Sequence, residues 1–243
     1  MHRLCFTVSL CCCMFACGAD ADGDAAHPSS TTGGAGAGGV AGAAGASATG
    51  AGAAGAPVEG FATEVVSFTA GEGAGYGADQ LPGVVAGPPH GNGSGQGSLD
   101  VLSLGAGGEI VLGFGADDLV DGPGPDFIVF ENPFWVGGDE NIPYKELGEV
   151  SVSEDGVSWR AFPCVPASYM TSSCAGWRVV WATPQTPLPY DPAKAGGDPF
   201  DLGDLGVARA RYVKIRDLSS KGEPPNAGFD LDAVAALHTA RAR

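Results

Sequence analysis

Four carboxylates stand where short apolar stretches meet their turns. Asp126 and Glu131 bracket Phe127 to Phe130 within DGPGPDFIVFENPF (121–134), and Asp230 and Asp232 open the run FDLDAVAAL (229–237). On a strand, side chains alternate between faces, so Asp230 and Asp232 project together. Two carboxylates on one sheet face repel, and either water at an open strand end or a cation must screen them. Loops rich in Asp, Asn and backbone carbonyl oxygens suit Ca²⁺. Asp126, Glu131, Asp230 and Asp232 therefore form the candidate calcium set, against the plainer alternative of strand-end carboxylates capped by backbone N–H groups.

A second group of residues suits a ligand rather than a metal. Trp135 follows Pro133-Phe134 and precedes the polar stretch Gly137-Gly138-Asp139-Glu140-Asn141, with Tyr144 three residues further on. Aromatic rings set between polar groups are a usual way to meet the face of a sugar, which makes Trp135, Asp139, Asn141 and Tyr144 the candidate ligand site. Catalysis has weaker support. There is no G-x-S-x-G or H-E-x-x-H, and the four histidines fall in the leader (His2), a low-complexity tract (His27), a loop (His90) and the end of the last apolar run (His238). The four carboxylates could serve a glycoside hydrolase as an acid pair, but nothing in their spacing marks them for it, so a non-enzymatic protein is expected. Asp198, Asp201 and Asp204 at spacings of three loosely suggest a calcium loop. They read better as a turn followed by one helical turn with Asp201 as N-cap.

Export is written at the N-terminus. Met1 to Arg3 is followed by an apolar run, Leu4 to Ala16, of signal-peptide rather than membrane-spanning length. Met14-Phe15-Ala16-Cys17-Gly18 resembles the lipobox of bacterial lipoproteins, which implies a diacylglyceryl anchor on Cys17 and a signal segment over 1–17. Five of the seven cysteines lie at or before that position. Cys164 and Cys174 are then the one pair left to an exported domain, and they are expected to be bonded. Residues 18–57 are nearly all Ala, Gly, Ser and Thr, too poor in large apolar groups to repay the entropy of ordering, and read as a disordered linker. The remaining 58–243 is one domain with 25 acidic against 11 basic side chains, a formal charge of −14. That balance repels nucleic acid and anionic lipid, so the partners expected are cations and neutral surface ligands such as glycans, with membrane contact only through the lipid.

The elements that must position these residues are short strands. Phe61 to Thr69, Leu99 to Leu104 with Glu109 to Phe114 as a hairpin, Phe127 to Glu131, Trp177 to Trp181, Ala210 to Asp217 and Phe229 to Leu237 are all candidates. Gly148 to Phe162 alternates apolar and polar on either side of Glu154-Asp155-Gly156 and reads as a β-hairpin. Phe127 to Glu131 is apolar on both faces and belongs in the middle of a sheet. Gly71 to Gly97 is a long Gly-rich loop, either functional or mobile. Roughly nine strands with long connections predict an all-β, two-sheet sandwich.

Two of these strands carry a family resemblance. VSVSEDGVSW (150–159) resembles the hairpin of discoidin-type (coagulation factor 5/8 type C) modules, and ARYVKI (210–215) resembles one of their later strands. Gly107 to Phe114 matches an earlier one. The resemblance covers roughly Leu99 to Leu237 and implies a galactose-binding-like jelly roll, a fold in which a structural calcium near the chain ends is common. The chain lacks that family's bracketing cysteines, and DGPGPDFIVFENPF is similar instead to bacterial surface proteins that look like a branch of the same fold. The expectation is an exported, lipid-anchored protein of the bacterial outer membrane or cell surface that binds carbohydrate, with a purely structural surface role as the alternative. Cys17→Ala should release the protein into the medium, since linker and acidic domain offer no other anchor; detergent partitioning of the variant with the membrane fraction would contradict this.

Overall fold

The computed structural model describes residues 59–167 and 173–242. The signal segment 1–17, the linker 18–57 and Cys17 lie outside them. Within the described residues the chain is an all-β sandwich.

One layer is an antiparallel five-stranded sheet. Its order is β1 (Glu64–Thr69), β3 (Glu109–Gly113), β12 (Tyr212–Asp217), β8 (Gly148–Ser153) and β9 (Arg160–Ala161). Pairing register explains why these segments join. Leu112, Val213 and Val152 lie side by side across three strands, as do Ile110, Ile215 and Val150, and both rows are buried. A slip of one residue would turn these rows to solvent and bring Lys214 inward, so the period-2 pattern holds the register. On the outer face Lys214 lies 4.5 Å from the Trp159 ring centroid and 3.6 Å from Glu109. The β8–β9 hairpin turns as the sequence predicts. Asp155 accepts hydrogen bonds from Val157 N (2.8 Å) and Ser158 N (2.7 Å), which hold its carboxyl well below the usual range, and Gly156 takes the positive φ of 74° that the turn requires.

The opposing layer is built from shorter sheets. In the first, β10 (Asp198–Phe200), β5 (Phe127–Phe130) and β14 (Ala233–Ala236) pair in that order. In the second, β11 (Arg209–Ala210), β4 (Asp117–Val120) and β15 (Thr239–Arg241) do the same. The pair β2 (Leu102–Ser103) and β13 (Asp230–Leu231) and the ribbon β6 (Phe134–Trp135) and β7 (Pro143–Tyr144) complete the set. The expected hairpin between Leu99–Leu104 and Glu109–Phe114 does not form. Gly105 and Gly107 take positive φ and redirect the chain, so β2 pairs with β13 while β3 crosses to β1 and β12. Trp177 to Trp181 is likewise no continuous strand; it contributes a single bridge, Val180 to Gly196.

β5 is the central strand of its sheet and is buried on both faces. Phe127 and Val129 enter the core between the layers, where Phe127 stacks on Phe200 at 5.2 Å and Phe162 meets both rings edge-on. Ile128 and Phe130 enter a second cluster, with Val180, Ala182, Tyr190, Ala195 and Phe61. The cover over that outer cluster is the 180–195 segment, which includes the one-turn helix α1 (Pro192–Ala195). Asp191 caps α1 by accepting from Ala193 N. Asp201 caps the 3-10 turn Leu202–Leu205 in the same way, as its sequence predicts.

Cys164 and Cys174 are bonded, with their Cα atoms 4.7 Å apart. The bridge closes a ten-residue separation, and its removal frees the unfolded chain by roughly 2–3 kcal/mol in the loop-entropy account. The Cys164→Ala/Cys174→Ala variant should therefore unfold at lower urea with an unchanged fold; a midpoint equal to that of the native chain would show the loop to be already ordered without its bridge.

Candidate functional site

The two ends of β5 differ in how their carboxylates are satisfied. Asp126, before the strand, is fully buried, and both of its oxygens are engaged. Oδ1 accepts from Gly122 N (2.8 Å) and faces His238 Nδ1 (2.9 Å), and Oδ2 accepts from Leu202 N (2.7 Å). Asp126 thus ties its own turn to the Asp201 turn and to the end of β14. Asp121, Asp126 and Asp201 each place an oxygen within 4.8 Å of the others. Of that group Asp126 is already held by Gly122 N, Leu202 N and the His238 ring.

Glu131, after the strand, is equally buried, but its Oε2 has no hydrogen-bond partner. Burial pushes its pKa well above the ordinary value, and the charges of Asp230 and then Glu146 push it further. Glu146 is itself buried, carries an unpartnered Oε1, and is raised to about 8 by burial and by Asp230 and Asp217. Asp230 is raised to about 6, mostly by burial, against hydrogen bonds from Ser103 and Asn132 that favour its charge. Asp217 adds charge but not coordination, because its oxygens already accept from Gly107 N, Phe229 N and Ser219 N. The buried Glu131 and Glu146 and the partly buried Asp230 therefore influence one another electrostatically, and two of their oxygens lack partners, but among the described residues only Asp121, Asp126 and Asp201 bring one oxygen each within 4.8 Å of one another. Orphaned buried carboxylate oxygens cost several times what an ordinary hydrogen bond contributes, and they call for a proton, a water or a cation.

The four carboxylates from which calcium ligands were expected to be drawn do not all lie at one place. Five positions of extended chain put Asp126 and Glu131 roughly 17 Å apart at opposite ends of β5. Asp230 faces Ser103 and Glu131. Asp232, at the junction where the chain leaves β2 for β5, accepts His90 N on both oxygens at 3.0 Å and is raised to about 8, first by burial. The fold brings Glu131 and Asp230 together and adds Glu146, whose Tyr144-Lys145-Glu146 setting was not singled out in the sequence. The available signal was alternation: Tyr144 and Glu146 are two apart on a chain about to enter β8.

Position along the chain gives Glu131 and Glu146 their importance. Phe134 to Tyr144 leaves the sandwich as the β6–β7 hairpin, with Glu131 just before it and Glu146 just after. Phe134 pairs with Tyr144, their rings stacked at 5.2 Å, while Trp135 pairs with Pro143 on the other face of the ribbon. The four expected ligand residues thus share one hairpin, but Trp135 and Tyr144 project from opposite faces. Tyr144 is spent on packing against Phe134, and the Lys221 ammonium lies 5.2 Å from its ring centroid. Trp135 shares the outer part of the hairpin with Val136 and Ile142, which are 46% and 54% exposed. Asp139 Oδ1 accepts from both nitrogens of Asn141 at 2.9 Å and shapes the tip. Tyr190 is buried against Phe61 and Phe130, whereas Trp181 is half exposed.

The Gly-rich loop is anchored. His90 N bonds Asp232, Gly91 N and Gly93 N bond the 180–182 carbonyls, and Ser94 O accepts Trp135 N at 2.8 Å. It therefore braces the base of the hairpin.

No protein-family model matches the chain, and comparison with curated proteins returns no match. Among solved structures the chain is similar to the C-terminal domain of a chitobiase from Bacteroides fragilis, with 14% identity over 74% of this chain and 95% of that one and a TM-score of 0.34.

The raised carboxyls set a sign for pH dependence. Between the unfolded values near 4 and the folded values of about 6 for Asp230 and about 8 for Glu146 and Asp232, the folded chain holds protons that the unfolded chain has lost. Stability therefore falls as pH rises through that window. Thermal melts in chelator should show a lower midpoint at pH 8 than at pH 5, and Glu146→Gln should flatten the slope. A profile that rises with pH would mean that these carboxylates are ionised and paired.

Proposed function

We propose that the domain is a non-catalytic binding module of the bacterial surface that takes carbohydrate on the Phe134–Tyr144 hairpin, with a Ca²⁺ held by the unpartnered oxygens of Glu131 and Glu146 beside the Asp230 charge at the hairpin's base. One observation carries this reading: a hairpin bearing the half-buried Trp135 and the exposed Val136 and Ile142 leaves and re-enters the sandwich beside two buried carboxylates whose oxygens lack partners. A hard cation with oxygen ligands would satisfy both oxygens, replace the protons at neutral pH and clamp the two roots of the hairpin. The tip supplies an apolar ring and a polar turn, the combination that suits a sugar's C–H face and hydroxyls. A hydrolase that paired Glu131 with Asp232 meets a steric obstacle. The cavity bordering Glu131 and Asp232 holds about 10 Å³, the room of one water or ion and not of a sugar ring. Export and the Cys17 anchor belong to the same proposal and supply the address; no helix among the described residues is long and apolar enough to cross a membrane.

The cation and the ligand are tested together. With calcium at a hundred times its dissociation constant, binding to the folded state alone contributes about 2.7 kcal/mol, several degrees of melting temperature for a domain of this size. Glu131→Gln or Asp230→Asn should weaken that response, and Asp139→Asn should leave it intact. On a glycan array the native domain should bind in calcium and lose signal in chelator, and Trp135→Ala should lose it in both. Superimposable melts with calcium and chelator would remove the ion from this account, and an array without signal would leave a structural surface protein.

A further inference from the structure

The lysines are distributed unevenly in this acidic domain. Lys194 pairs with Asp191 at 2.9 Å and Lys214 with Glu109 at 3.6 Å. Lys145 and Lys221 have no carboxylate within ion-pair distance among the described residues, although 25 acidic side chains surround them. They are nevertheless held in place. The Lys145 ammonium lies 5.0 Å from the Trp177 ring centroid, and the Lys221 ammonium lies 5.2 Å from that of Tyr144 while donating to Lys145 O at 2.9 Å. Glu146 is within electrostatic reach of Lys221 but beyond contact. Burial and then the Lys221 charge lower the Lys145 pKa, so an anion seated between the two ammonium groups would relieve their repulsion.

The same two lysines border an open cavity of about 280 Å³, which is also lined by Leu147, Leu218, Ser219 and Ser220. Its size is near the lower end of small-ligand sites, roughly 300 Å³. Its wall is apolar on one side through Leu147 and Leu218, and Ser219 and Ser220 bring hydroxyls to the other. We infer that this notch binds the carboxylate of an acidic sugar, with the carboxylate between the Lys145 and Lys221 ammonium groups and the ring against Leu147 and Leu218. The inference rests on the carbohydrate reading above and narrows it to a ligand with one acidic group. The domain's formal charge of −14 works against a densely charged polyanion at long range, whereas one carboxylate seated between two ammonium groups is favoured locally.

The test is an amide NMR titration of the calcium-loaded domain with galacturonate and with its neutral methyl ester. Galacturonate should shift the amides of residues 145–147 and 218–221 and bind at least about tenfold more tightly than the ester. The difference should shrink as salt is raised. Lys145→Gln/Lys221→Gln should remove it, and Lys194→Gln, which breaks an ion pair elsewhere, should not. Equal binding of acid and ester at the hairpin would overturn the lysine notch and leave the carbohydrate reading intact. Galacturonate binding at the lysines without any array signal that depends on Trp135 would uphold the notch and overturn the hairpin as the sugar site. Absence of shifts at 145–147 and 218–221, or a double variant that binds like the native domain, would overturn the notch outright.

Discussion

The structure depends on a four-residue strand that has no solvent face. Phe127 and Val129 fill the core between the layers, and Ile128 and Phe130 fill the cluster beneath the 180–195 cover. Burying both faces of β5 commits every polar group at its ends to find a partner inside the protein, because water is excluded there. The flanking acids, Asp126 and Glu131, meet that demand in opposite ways. At Asp126 the chain supplies N–H donors from three separate segments and the carboxylate becomes a fastener. At Glu131 the neighbours are two further carboxylates, and oxygens remain unmatched.

That asymmetry separates the two ends of the strand. Around Asp126 both carboxylate oxygens are engaged, which ties three segments together. Around Glu131 the chain departs as a hairpin whose two roots both carry buried acids, so whatever neutralises those acids also decides how firmly the hairpin is held. Polar clusters in a low dielectric are stabilising when complete and costly when incomplete.

The long Gly-rich loop and the 180–195 segment serve the same end. Both are irregular, yet their backbone groups are satisfied by Asp232 and by each other, so they act as braces. Glycine makes this close packing feasible at Gly93, where a side chain would crowd the Trp181 ring at 3.1 Å. Lys145 and Lys221, resting on the rings of Trp177 and Tyr144, set a positive feature beside the hairpin that the domain's net charge conceals.

Period-2 patterning was enough to read the all-β class, the β8–β9 hairpin, the β12 strand and the two-sided burial of β5, because alternation is a local property that the pleat imposes on any strand. Cysteine count and position likewise anticipated the Cys164–Cys174 bond, and the N-cap role of Asp201 followed from its place before a single turn. Pairing across the fold was not local. Nothing in Leu99 to Phe114 says that glycines at 105 and 107 send β2 to β13 instead of β3, and nothing near Asp126 says that it would meet His238 and Leu202 N rather than Glu131. The gathering of Glu131, Glu146 and Asp230, and of Lys145 with Lys221, joins residues up to about a hundred positions apart. Which carboxylates are left without donors is fixed only when the strands between them have packed, since burial and hydrogen-bond partners are properties of the assembled layers and not of any one segment.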